Sequence, residues 1–159
     1  MTDIAVWSAP LGTSPANWQA AFGTEVNSLA AGSGALSSII LDNTTNLFTD
    51  GWISVALGAV ATGTGAPSLD FYLLPLNQDG TTYGDGTVSG TVLPGSAYYI
   101  CSITWAPSLA SAAQTGQVKI PTELPPNKFK PFVVNNIGNA LAASGNTISI
   151  AFNALNLNG

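Results

Sequence analysis

Apolar residues in this chain recur in short runs, and Gly, Pro, Asn and Thr separate the runs. Trp52–Leu57 reads WISVAL, with Trp52, Ser54 and Ala56 on one face and Ile53, Val55 and Leu57 on the other. That two-residue alternation is the signature of a strand. Leu69–Leu76 (LDFYLLPL) sets Leu69, Phe71 and Leu73 against Asp70, Tyr72 and Leu74. Ala97–Trp105 (AYYICSITW) is the strongest strand pattern, dense in aromatic and β-branched residues. Ala35–Leu41, Gln117–Ile120, Phe129–Asn135 and Thr147–Phe152 complete the set. Pro75 and Pro131 cannot donate to a ladder, so Pro75 predicts an edge position or a strand end, and Pro131 an edge or a strand start.

The connecting segments carry turn chemistry. Asn77–Gly90 holds Asp79-Gly80 and Asp85-Gly86, and Leu93–Gly95 and Gly145-Asn146 serve similarly. Thr62–Pro67 is a Gly/Thr/Ala connection, and Pro125-Pro126 keeps Pro121–Asn127 extended and free of a ladder. About eight short strands with Gly/Pro turns and no long helix predict an all-β fold, an antiparallel two-sheet sandwich of jelly-roll type. An immunoglobulin-like sandwich is the alternative, and no fixed-period repeat points to a solenoid or propeller. The 159 residues suit one domain with a substantial core.

Residues 1–24 differ from the rest. They carry Trp7, Trp18 and Phe22 among Pro10, Pro15, Gly12 and Gly23. Ser14 as N-cap and Pro15 at the first helical position predict a short helix over Ser14–Phe22, ended by Gly23. Ile4–Trp7 reads as a strand able to add to a sheet edge. The domain plan is therefore an N-terminal arm over 1–24 and a sandwich over 25–159. The three aromatics are candidate contacts to a neighbouring subunit, and packing against the chain's own core explains them equally well.

Composition sharpens this picture. Charged residues are only 7% of the chain, against about 25% in an ordinary soluble domain. There are eight acids, three lysines, no arginine and no histidine, for a net charge of −5. Disordered chains combine low hydrophobicity with high charge, and this chain has neither. Phosphate neutralisation needs cations, so neither a nucleic acid nor an anionic membrane is an expected partner. No apolar run reaches the length of a membrane-spanning helix, and the first residues lack a signal-peptide pattern. A surface so poor in charge fits a permanent assembly, because interface centres are depleted of charge.

No enzyme chemistry is expected. Without histidine, the Ser-His-Asp and Cys-His nucleophile systems cannot be built. One cysteine, Cys101, excludes an internal disulfide and a structural zinc site, and it reads as a small buried hydrophobe. No metal and no cofactor are expected. Asn77-Gln78-Asp79-Gly80 with Asp85-Gly86 hints at a calcium loop, but Thr81, Thr82 and a missing terminal Glu fit a plain hairpin loop better. The stretches Gly63–Gly65 and Gly84–Gly90 lack the Lys-Ser/Thr and the helix of a phosphate loop. Trp52, Tyr72, Tyr83, Tyr98 and Trp105 are candidates for stacking on sugars, with core packing as the ordinary explanation of each.

Several spaced motifs carry a resemblance. Leu41-Asp42-Asn43-Thr44-Thr45-Asn46-Leu47 precedes the strands Trp52–Leu57 and Leu69–Leu76 and a DGTTYGDG loop. Pro125-Pro126-Asn127-Lys128-Phe129-Lys130 and the run from Asn135 to Thr147, NNIGNALAASGNT, follow. In this order, over residues 25–155, the chain resembles small all-β virion structural proteins of tailed bacteriophages and prophages. The resemblance implies a head decoration (cement) protein on the outer capsid surface. Its partners would be the major capsid protein and its own copies, a trimer being favoured. The competing expectation is a tail or tail-fibre component that binds a host glycan.

Overall fold

The computed structural model of the chain describes residues 4–7, 18–44, 50–83, 92–121, 124, 126–153 and 155–158, with the backbone alone at 4–7, 50, 153 and 155–158. The strands are β1 (Ile4–Trp7), β2 (Gln19–Ala20), β3 (Gly34–Leu36), β4 (Leu41–Asp42), β5 (Asp50–Val60), β6 (Ser68–Pro75), β7 (Tyr98–Thr104), β8 (Ala112–Lys119), β9 (Lys128–Asn135), β10 (Thr147–Asn153) and β11 (Leu155–Asn158). Among the described residues there is no helix.

Two antiparallel sheets make the sandwich. One has the order β2-β10-β5-β8, and the other has β3-β9-β6-β7 with β4 also on β9. Counting β3 and β4 as one interrupted strand leaves eight positions. Their orders are then first-eighth-third-sixth and second-seventh-fourth-fifth. First pairs with eighth, second with seventh, third with sixth and fourth with fifth, all antiparallel. A long hairpin rolled up on itself gives this arrangement, which is the jelly roll.

Strand alternation fills the space between the sheets. Ile53, Val55 and Leu57 of β5 and Ile148, Ile150 and Phe152 of β10 face Leu69, Phe71 and Leu73 of β6 and Phe129 and Val133 of β9, all buried. Phe129 and Phe152 meet edge to face across the gap with centroids 6.2 Å apart. At the β7–β8 side the sheets approach so closely that a Cβ on Gly116 would lie 2.4 Å from Ile103 Cγ2. There the Trp105 indole donates to the Thr115 carbonyl at 3.2 Å, covering one acceptor on the open edge of β8.

Several expectations are corrected. The helix over Ser14–Phe22 gives way to β2, because Gln19 and Ala20 pair with Ile150 and Ser149 and the Ala21 N–H donates to Ile148 O. Residues Ser14–Asn17 lie outside the described part. Gln19 and Ala20 are thus strand residues of the four-stranded sheet. Pro131 is not at an edge: β9 pairs with β6 on one side and with β3 and β4 on the other. Its carbonyl accepts from Ser37 on the β3 side, so the missing N–H points the same way. The break between β3 and β4 falls opposite it, and no ladder bond is lost. Ser37 fills that break, donating to Ala21 O at 2.7 Å and accepting from Ile39 N at 2.9 Å. Ala35–Leu41 is thus two short strands around a clip.

The last correction concerns the arm. Ile4–Trp7 does add to a strand, but the strand is β11 of the same chain, in a two-stranded ribbon outside both sheets.

Candidate functional site

The two outer faces of the sandwich differ in kind. On the four-stranded sheet, Ala20, Ser54, Ala56, Thr115, Gln117, Thr147 and Ser149 point outward, with Trp52 in register with Lys119 and Ala151. Among the side chains described on this face, Lys119 is the charged one. On the five-stranded sheet, one register row crosses every full strand: Leu36 opposite Phe132, Phe132 opposite Tyr72, and Tyr72 opposite Tyr99. The rings of Tyr72 and Tyr99 meet at 71° with centroids 5.6 Å apart, and those of Tyr72 and Phe132 at 76° and 6.5 Å. Phe132 is 0% exposed although it points away from the inner core, whereas Tyr99 is 52% exposed.

The neighbouring row is polar. Asp70 stands opposite Ser102 and beside Val134. One Asp70 oxygen accepts from Ser102 Oγ at 2.5 Å and from Ser68 Oγ at 3.0 Å, and the other accepts from Asn136 Nδ2 at 2.6 Å. The Tyr99 hydroxyl reaches Ser102 Oγ at 2.8 Å, so the carboxylate is wired to the exposed ring. Burial first, then the Asp70 charge and Tyr99, raise the Tyr72 phenol above its ordinary value. The arrangement is an aromatic corner beside a fixed set of donors and acceptors.

Tyr99 faces outward because of a β-bulge. The pairing of β6 with β7 steps from Phe71–Cys101 to Tyr72–Tyr99, leaving Ile100 as the extra residue. Simple alternation would put Tyr99 on the core face with Cys101 and Ile103. Its neighbour Tyr98 turns inward instead. The Tyr98 hydroxyl is buried without a hydrogen-bond partner, and burial pushes the phenol up to about 12.

The residues singled out by sequence fall in scattered places. Phe22 is 5% exposed in the core of its own sandwich. Trp18 is half-buried just ahead of β2. Trp7 lies on β1 opposite Leu155, and its side chain is outside the described part. Of the sugar-stacking candidates, Tyr72 belongs to the aromatic row and Trp52 to the plain face. Tyr98 and Trp105 pack against the core. Tyr83 is half-buried under Lys130, whose ammonium sits 5.0 Å from the ring centroid. Asp79 accepts from Thr81 N at 2.8 Å, Thr82 N at 2.9 Å and the Thr82 hydroxyl. Those bonds hold its carboxyl down to about 2, the behaviour of a turn aspartate; Asp85 and Gly86 lie outside the described residues. Cys101 is buried, and burial, followed by the Asp70 charge, pushes its thiol up to about 12.

The motif residues of the resemblance act as backbone clips. Asn135 donates to Leu29 O and Asn139 O, each at 2.9 Å, and accepts from Ile137 N at 3.0 Å. Asn146 accepts from Gly58 N at 3.1 Å and donates to Ala142 O at 2.6 Å. Gly58 is the bulge residue of β5, and a Cβ there would lie 2.5 Å from Ser144 O. Asp42 accepts from Thr44 and pairs with Lys128 at 3.3 Å, joining the first motif to the second. These roles fix loops to sheets.

Comparison of the chain with protein-family models, with curated proteins and with solved structures gave no match. The fold class accordingly stands on strand order and register alone.

Proposed function

We propose that this chain is a structural protein of a tailed-phage virion, a decoration protein that seats on the outer capsid surface and bridges capsid subunits. The observation that carries this reading is the outer face of the four-stranded sheet, built mostly of small uncharged residues around Trp52, with Lys119 as its one described charge. Such a face costs little to desolvate against a permanent partner. The jelly roll is a frequent architecture of virus particles, though it also serves lectins and cupins. The spaced motifs that resemble phage virion proteins add support, and an acidic outer protein would not capture nucleic acid. The partners in this reading are the major capsid protein and further copies of the chain, in trimers.

The terminal ribbon of β1 and β11 belongs to the same reading. A two-stranded ribbon is marginal in water by itself and gains from a third strand or an apolar support. A capsid subunit would supply either. Because Gln19–Phe22 form part of the sandwich, the segment to remove is residues 1–17. The test is rebinding of full-length and 1–17-deleted protein to heads stripped of it, read by sedimentation. Full-length protein should co-sediment, and the deleted protein should stay in the supernatant with an unchanged melting temperature. Equal co-sedimentation would remove the ribbon from the attachment. Failure of the full-length protein to bind would reject the decoration role.

The rival reading, adhesion through a glycan, draws on one observation only, the Tyr72–Tyr99–Asp70 corner.

A further inference from the structure

The geometry points to a carbohydrate site on the outer face of the five-stranded sheet, taking a neutral hexopyranose at the corner formed by Tyr72, Tyr99 and Asp70. This inference goes beyond attachment to a particle and does not depend on it.

A hexopyranose presents an apolar patch of C–H groups on one face and hydroxyls around its rim. Recognition therefore needs an aromatic surface with hydrogen-bonding groups at its border, held in place before the sugar arrives. The corner supplies both. Tyr72 and Tyr99 stand at 71° to each other, a floor and a wall, and Tyr99 is 52% exposed at the edge of the sheet. The border is Asp70, Ser102 and Asn136, which project from the same face. Asp70 uses three hydrogen bonds to hold its carboxylate still. A carboxylate has about four acceptor positions, so one remains for a sugar hydroxyl. Asn136 is exposed and spends one amide hydrogen on Asp70. That leaves its second amide hydrogen and its Oδ1, a donor and an acceptor that suit a vicinal diol.

Charge selects the class of sugar. No lysine stands in the Asp70 row: Lys119 is on the other sheet, and on this face Lys130 is opposite Leu74 with its ammonium over Tyr83, and Lys128 is paired with Asp42, both on the far side of Tyr72 from Asp70. A carboxylated sugar would meet Asp70 with no counter-charge, so the corner discriminates against it.

A purely structural role for the network would need the Asp70 bonds but not an exposed tyrosine ring at the end of them. The distinguishing experiment is saturation-transfer NMR on the full chain. The probes are the methyl glycosides of glucose, galactose and mannose, N-acetylglucosamine, and the methyl glycoside of N-acetylneuraminic acid as the anionic comparison. At least one neutral sugar should receive saturation, and the sialoside should not. Tyr99→Ala, at an exposed position that leaves the fold intact, should weaken that binding roughly tenfold, the size of one stacking contact. Asp70→Asn should weaken it as well, and Trp52→Ala on the opposite sheet should leave it unchanged. Absence of transfer to all four neutral sugars overturns the proposal. So does binding that survives Tyr99→Ala undiminished, or the sialoside binding as well as the neutral sugars. Capsid attachment enters no arm of this test, so its outcome is independent of the decoration role.

Discussion

The two outer faces come from sheets of the same roll, yet they solve opposite problems. The four-stranded sheet shows mostly small side chains outside, Ala20, Ser54, Ala56 and Ser149, with Trp52 as the large exception, and turns its aliphatic residues inside. The five-stranded sheet spends large residues on both sides. Leu69, Phe71 and Leu73 fill the core, while Tyr72 and Leu74 of the same strand and Phe132 beside them form a second apolar layer outside it. A plain face suits broad contact with another protein surface. A face with an aromatic row next to a fixed carboxylate suits a small ligand. The difference teaches that outward position and exposure separate here: Phe132 points outward and is fully buried.

That comparison can be broken by mutation. The largest effect is expected at Phe132. Phe132→Ala should cost about 3–5 kcal/mol, as for a residue of the inner core, read as a shift in denaturant midpoint. A loss below about 1 kcal/mol would mean that the outer layer is not packed in solution. Asp70→Ala comes next. It leaves the Ser68, Ser102 and Asn136 groups without their acceptor, at about 1–3 kcal/mol, and should increase the mobility of the Tyr99 ring. Tyr98→Phe should act in the other direction. It removes a buried hydroxyl that has no partner and should stabilise the fold by about 1 kcal/mol. Smallest is Ala56→Thr on the plain face, expected within about 0.5 kcal/mol of the parent but able to hinder a flat protein contact.

Alkali probes the strand that joins the two layers. The Cys101 thiol lies at about 12 in the fold against an ordinary value of 9.0. A raised thiol contributes fully below pH 9 and loses its contribution as the pH climbs toward 12, because the unfolded chain ionises first. Stability should therefore be level up to about pH 9 and fall above it, with Cys101→Ala flattening the fall. Below pH 9, native protein should resist thiol reagents, and unfolded protein should react at once. Ready alkylation of the native chain would contradict the burial.

Strands with strict alternation were legible from sequence: β5, β6, β9 and β10 fall where their apolar positions put them, and Pro75 ends β6 as expected. β8 extends back to Ala112 because Ala-Ala-Gln-Thr-Gly has no apolar rhythm, and only pairing with β5 makes it a strand. β2 was hidden by Ser14 and Pro15, whose helix-start chemistry loses to a ladder supplied by β10. Half of the candidate site was visible, since Asp70 and Tyr72 sit together on one face of LDFYLLPL. The other half was not. A bulge at Ile100 turns Tyr99 outward, and Asn136 arrives from a distant strand end. Local alternation cannot foresee a bulge, and pair contacts between strands far apart in sequence leave no local signal.

The decoration role is tested most directly by cryo-electron microscopy of the particle that carries this chain. The account predicts jelly-roll density repeated at regular sites over the outer head shell, with the plain four-stranded face or the terminal ribbon against the capsid and the Tyr72–Tyr99 face toward solvent. Density confined to the tail in a few copies, or no density on the particle, would contradict it.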